Sequence, residues 1–481
     1  MPKRRIVEIS PLTRVEGHGK VSIHLDEDNN VSDARLHIVE FRGFERFIQG
    51  RLLWEVPVIV QRLCGICPVS HHLAAAKAMD QIVGAHQLTP TAEKMRRLMH
   101  YGQVMQSHVL HFFHLCSPDL LFGFDAPVEK RNIFGIINEF PELAVQAVKM
   151  RKFGQEIIEK TAGKKIHGTG AIAGGINKNL TIDERDSLLK DIDQMQKWAV
   201  DALDLAKGYT LDNLDYINDF SSFPSSHMSL VAEDGALDLY HGHLRAIDQD
   251  GEAIFDQVDY RTYTDLLVEE VRPWSYMKFP FIKKLGTHDG WYRVGPLARM
   301  NTATYIDTPL ANKAHADLKA VTEGKPNPTT LANHWARMIE VVHCVEKIKD
   351  LLHDEDLQGK DLVVTGERQL EGIGVIEAPR GNLIHHYKVD ENDQVQFCNL
   401  IVSTTHNNEA MNRALAGVAR KFISGEPKIT EGMLNHVEVA VRAYDPCLSC
   451  ATHALGQMPL RVELLGPDGQ QIDQKTRDLP S

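Results

Sequence analysis

The chain has 481 residues, 53 basic against 65 acidic for a formal net charge of −12, with 43% hydrophobic and 25% charged residues. That balance is ordinary for a water-soluble globular protein and excludes a general nucleic-acid binder, which needs a basic face. No apolar run is long enough to span a bilayer and none follows Lys3-Arg4-Arg5; with only seven cysteines, an odd number, a cytoplasmic protein with reduced thiols is expected.

Taken in chain order, the N-terminus reads as strands. Ile6-Val7-Glu8-Ile9 comes first, and residues 19–25 and 31–39 alternate around Asp26-Glu27-Asp28-Asn29-Asn30, which predicts a hairpin. Cys64-Gly65-Ile66-Cys67 follows, just ahead of a helical stretch through residues 72–79. Thr89-Pro90-Thr91 opens a helix whose apolar stripe is Met95, Leu98, Met99, Met105 and Val109. The same spacing predicts helices over 182–207 and 329–353. Residues 372–405 read as a second hairpin, with Val375-Ile376 and residues 397–402 flanking Asp390-Glu391-Asn392-Asp393. Helices over 407–422 and 430–443 then lead into Cys447-Leu448-Ser449-Cys450. There is no repeat, low-complexity tract or Pro/Gly/Ser linker, so the expected fold is mainly α with small β elements (α+β), a long-helix bundle in one interleaved unit.

The two CxxC pairs hold four of the seven cysteines and stand near opposite ends of the chain. Asp445 and Pro446 suit the cap and first position of a helix, which would put Cys447 and Cys450 in its first turn, where the dipole favours thiolates. Four thiolates joined by the completed fold make a soft site for zinc, an iron–sulfur cluster or nickel, and spacing alone does not choose among them. A thioredoxin-like redox pair would need a βαβ context that is missing. Cys116, Cys344 and Cys398 are too scattered for an iron–sulfur cluster, and no glycine-rich nucleotide fingerprint occurs.

The flanks of the pairs carry more. Arg62-Leu63-Cys64-Gly65-Ile66-Cys67-Pro68-Val69-Ser70-His71 resembles the N-terminal signature of nickel–iron hydrogenase large subunits, and Asp445-Pro446-Cys447-Leu448-Ser449-Cys450-Ala451-Thr452-His453 resembles their C-terminal one. Arg14-Val15-Glu16-Gly17-His18, Arg42-Gly43-Phe44-Glu45 and Glu377-Ala378-Pro379-Arg380-Gly381 are similar to further blocks of that family, in the expected order. The chain looks most like the cytoplasmic NAD-reducing, bidirectional group, and the resemblance implies that group's long-helix fold with N-terminal and central β hairpins.

It also implies a site. All four motif cysteines would bind nickel, with Cys67 and Cys450 bridging to an iron that carries carbonyl and cyanide, and Cys64 and Cys447 terminal. Cys447 would accept the proton when H2 is split and Glu16 would relay it, a role for a carboxylate tuned by burial. Arg380 would reach over the open side of the metals, Thr404 would donate to a cyanide, and His71 would orient a bridging sulfur. Glu45 and His453 would hold magnesium. Maturation would involve nickel-insertion proteins and an endopeptidase that cuts after His453, leaving a catalytic unit of 1–453 and removing 454–481. Electrons would leave through a small subunit with iron–sulfur clusters and a flavin- and NAD-binding diaphorase. Coupling to a deazaflavin or ferredoxin, a quinone-site relative from respiratory complex I, and a structural zinc protein are the alternatives to this reading.

Overall fold

Four long helices surround the largest apolar core: Pro90–Leu110, Pro141–Ala162, Ile182–Asp212 and Asn333–Leu352. These are elements of a computed structural model of the chain, which describes residues 5–452, 460–466 and 470–477. The Thr89 hydroxyl accepts the Ala92 N–H, and Thr181 forms a reciprocal capping box with Glu184, so both helix starts are fixed by local chemistry. The predicted 329–353 helix begins later than expected, at Asn333, after a single 3-10 turn over Thr330–Ala332. The Pro141–Ala162 helix escapes pattern reading; Val145 and Val148 are exposed and blur its apolar stripe.

The N-terminal strands Arg5–Ile9, Gly19–Leu25 and Val31–Ile38 form an antiparallel sheet in chain order. Its inner face packs on helices Asn408–Ile423 and Glu431–Arg442, so segments from opposite ends of the chain share one core. A second core lies beneath the Pro68–Ile82 helix and contains all four CxxC cysteines. The metal-ligand candidates therefore sit where the two ends of the chain are already held together by apolar burial.

The predicted hairpin over 372–405 is a three-stranded antiparallel sheet, Glu371–Ala378, Gly381–Val389 and Val395–Ile401. Its first turn is Pro379-Arg380, hidden from pattern reading because Gly381–Val389 is buried on both faces and does not alternate. A four-stranded sheet built on Ser226–Val231 and His243–Ile247 is a further element beyond the sequence pattern. Near the C-terminus, Leu460–Leu465 and Gln471–Arg477 pair with each other as a separate two-stranded sheet. Among the described residues no helix is long and apolar enough to cross a membrane.

Candidate metal centre

The first pair is presented by backbone geometry. Arg42 donates to the carbonyls of Leu63 (2.7 Å) and Arg62 (3.0 Å), fixing the turn before Cys64. The N–H groups of Ile66 and Cys67 point at the Cys64 sulfur at 3.2 and 3.3 Å, and Pro68 starts the helix immediately after Cys67. Gln103 and Gln106 both donate to the Ile66 carbonyl, pinning the loop to the Pro90–Leu110 helix.

The second pair departs from expectation. Asp445 has φ of 53° and caps no helix, and the cysteines are followed only by a 3-10 turn over Ser449–Ala451. Of the N–H groups an Asp445 cap would have served, that of Cys447 donates to the Thr404 hydroxyl and that of Leu448 to Glu16, from the other end of the chain. Leu448 N–H donates to the Glu16 carbonyl (2.9 Å) and Ser449 N–H to its Oε2 (3.1 Å). Asp445 instead faces Arg380, whose Nη2 donates to its Oδ1 at 3.0 Å and whose Nε donates to its carbonyl at 2.5 Å. Gly17, at φ of 85°, allows this junction: a Cβ there would lie 2.6 Å from the Ser449 nitrogen and 2.9 Å from the Leu448 Cβ.

The four sulfurs all lie within 4.8 Å of one another, and every cysteine is buried. Cys447 Sγ is 2.8 Å from Cys450 and 3.3 Å from Cys64, and Cys67 is 3.8 Å from Cys450. Hydrogen bonds from Cys447, Cys450 and Cys67 hold the Cys64 thiol well below its ordinary range, whereas burial pushes Cys447 and Cys450 well above theirs. Burial thus opposes ionisation of the cluster, and full ionisation calls for a cation among the sulfurs. A soft metal with bonds of about 2.3 Å to sulfur fits this four-sulfur cluster.

Around the sulfurs the polar groups converge. The Cys447 thiol donates to Glu16 Oε2 at 3.0 Å. Arg380, 4% exposed, stays charged against its burial through Asp445 and the cysteine sulfurs, and its Nη1 approaches Ser107 at 3.4 Å. The Thr404 oxygen accepts the Cys447 N–H at 3.0 Å, which leaves its own proton to donate. Thr404, Arg380, His71 and three of the cysteines line one small cavity of about 10 Å³. Burial lowers His71 to about 4, so it is neutral near pH 7.

The structure thus gathers Cys64, Cys67, Cys447, Cys450, Glu16, Arg380, Thr404 and His71 into one site. Glu45 lies apart from it, buried, accepting from Leu400 N–H (2.9 Å) and paired with the Lys278 ammonium at 3.0 Å. His453 lies outside the described residues. The same Lys278 ammonium also pairs with Glu269 at 3.3 Å, so the carboxylates that magnesium would need are already matched by a cation. Pattern reading missed Asp445 as the partner of Arg380, and Arg42 as the brace of the first loop. A second cluster, His111, Cys116 and His334, is also buried, but burial pushes its thiol up to about 12 and lowers both imidazoles. It packs as a neutral group beside Arg337 and Arg442.

The nickel-dependent hydrogenase family matches residues 42–123 and 190–453, and a HoxL-like family matches residues 6–41. The chain is 50% identical to the NAD-reducing hydrogenase HoxS subunit beta of Cupriavidus necator, over 98% of this chain and 100% of that protein. It is 42% identical to a chain of the F420-non-reducing hydrogenase from Methanothermobacter thermautotrophicus, covering 96% and 98%. Among solved structures, an NAD+-reducing [NiFe]-hydrogenase in the H2-reduced state superimposes with a TM-score of 0.92 at 56% identity, covering 93% of this chain and 99% of that one.

Proposed function

The chain belongs to the nickel-dependent hydrogenase family, and we propose that it is the catalytic large subunit of an NAD-reducing enzyme that reversibly converts H2 to two protons and two electrons. The observation that carries this reading is the four-sulfur cluster with a carboxylate one hydrogen bond away. Cys64, Cys67, Cys447 and Cys450 are the residues that would hold nickel, and Cys67 and Cys450 those that would also hold an iron carrying carbonyl and cyanide. When bound, that pair supplies a soft, redox-active centre that polarises H2 and takes up its electrons.

The chain's own residues then handle the protons. Cys447 accepts one at its sulfur and passes it to Glu16 Oε2, already placed at 3.0 Å. Arg380 keeps a fixed positive charge at the cavity, where a dry environment strengthens its effect, and the Thr404 hydroxyl offers a donor beside it. Electrons leave through partner subunits that carry iron–sulfur clusters and, for NAD+, a flavin. The buried thiols Cys116, Cys344 and Cys398 lie apart from one another in sequence and do not supply a cluster motif.

We also propose that residues 454–481 are removed after His453 during maturation. The separate pairing of Leu460–Leu465 with Gln471–Arg477 supports this, since that sheet joins no other strand among the described residues. The complex purified from nickel-replete cells is expected to contain nickel and iron, to show infrared bands of carbonyl and cyanide, and to reduce NAD+ with H2. Its large subunit should have an intact mass ending at His453. Zinc without nickel and no such bands would overturn the metal assignment, and a full-length subunit with full activity would overturn the cleavage.

A further inference from the structure

The first cysteine pair is backed by a buried chain of three side chains to which the proton steps assign no part. His71 stands four residues past Cys67 on the Pro68–Ile82 helix, and its Nδ1 lies 3.1 Å from Nε2 of His385. Nδ1 of His385 in turn lies 2.7 Å from the Tyr387 hydroxyl. His385 and Tyr387 alternate onto one face of the Gly381–Val389 strand, and all three residues are at most 1% exposed.

The direction of these hydrogen bonds follows from proton counting. A neutral imidazole has one N–H, so of two facing ring nitrogens one donates and the other accepts. A buried phenol needs an acceptor for its proton, and His385 Nδ1 is the acceptor the described residues give Tyr387. With Tyr387 donating to Nδ1, the His385 proton is on Nε2 and is donated to His71 Nδ1. His71 then carries its own proton on Nε2, at the far side of the ring. The reverse order would leave the phenol proton without its acceptor, which is unfavourable for a buried hydroxyl.

We propose that Tyr387 and His385 are positioning residues that fix His71 as the Nε2–H tautomer, so that it donates a hydrogen bond into the cavity it shares with Cys67 and Cys450. The inference rests on the metal-centre reading and adds to it the source of that donor. A hydrogen bond on a bridging sulfur withdraws electron density from the iron, so its loss leaves the iron richer and weakens the bond of a carbonyl attached to it.

The test uses the whole complex, matured in nickel-replete cells, with three variants: Tyr387→Phe, His385→Leu and His385→Gln. Glutamine can present an amide N–H where the His385 Nε2–H stood, whereas leucine cannot. At parental nickel and iron content, the infrared carbonyl band is expected to move to lower wavenumber in Tyr387→Phe and His385→Leu and to stay with the parent in His385→Gln. A parental band in metal-loaded Tyr387→Phe, which removes a single oxygen, overturns the inference even where His385→Leu fails to fold. So does an equal shift in the glutamine and leucine variants. Absence of the bands from the parent complex overturns the metal-centre reading itself, and this inference with it.

Discussion

Glu16 and Cys447 meet across the full length of the chain, with the carboxylate also anchored by the Ser449 N–H. Glu16→Gln keeps a polar group of the same shape but has no carboxylate to take the proton. H2 oxidation and hydrogen-isotope exchange are expected to fall by about 10²–10⁴-fold, the range for loss of a proton-transfer group. Metal content and infrared bands should stay parental; retained exchange would assign the relay to another residue. Arg380 poses a different risk, because Arg380→Leu strands a buried Asp445. Removing one partner of such a pair costs about 3–5 kcal/mol, so a lower unfolding temperature of the purified complex is expected, with Arg380→Lys nearer the parent. The cysteines and Glu16 were legible because their flanking residues form recognisable blocks. The Asp445–Arg380 pair was not, since a carboxylate leaves no local sign of a partner so far away in sequence.

At the level of elements, the Pro68–Ile82 helix is laid directly on the Glu371–Ala378 strand, which joins the first cysteine pair to the Arg380 turn. The contact requires backbone approach. A Cβ at Gly374 would stand 2.0 Å from the Ala74 carbonyl oxygen, and neither backbone can yield without moving the other. Gly374→Ala is expected to destabilise by about 1–3 kcal/mol or more and to lower nickel occupancy, read by denaturant unfolding and metal analysis. Gly417→Ala is the contrast, with nothing within 4 Å in the Asn408–Ile423 helix, and should be neutral or stabilising by up to ~1 kcal/mol. Amphipathic helices and the N-terminal hairpin were readable because one face of each meets water. The Gly381–Val389 strand was not, because burial on both faces erases alternation.

For the molecule as a whole, the interior holds many neutral histidines. Burial lowers His72, His100, His108, His315 and His343 to about 4. Unfolded, they would titrate near 6.5, so below that pH the unfolded chain binds more protons than the folded one. Their stabilising contribution is complete above pH 6.5 and is lost as pH falls toward 4, by at most about 1.4 kcal/mol per histidine per pH unit. Glu340 acts at lower pH. Burial would raise it, but Arg299 and His108 bring it to about 2, so its contribution is lost between about 4.5 and 2. The denaturation midpoint at fixed high salt should therefore be lower at pH 5 than at pH 7.5; an equal or higher midpoint would contradict this account.

The sequence by itself determined the donor set. Residue type and spacing specify four soft thiolates, whatever the path of the chain between them, and the family blocks imply Glu16 as the carboxylate beside them. Only the tertiary structure decided how those groups face one another. Glu16, not Asp445, satisfies the N–H groups beside Cys447, and a glycine lets the two ends touch. A strand turn places Arg380 at the cavity, and a phenol outside every recognisable block orders the proton on His71. The physical reason is the same in each case. Covalent neighbours fix what chemistry is available, whereas hydrogen-bond direction, dry burial and close approach depend on residues that only folding makes adjacent.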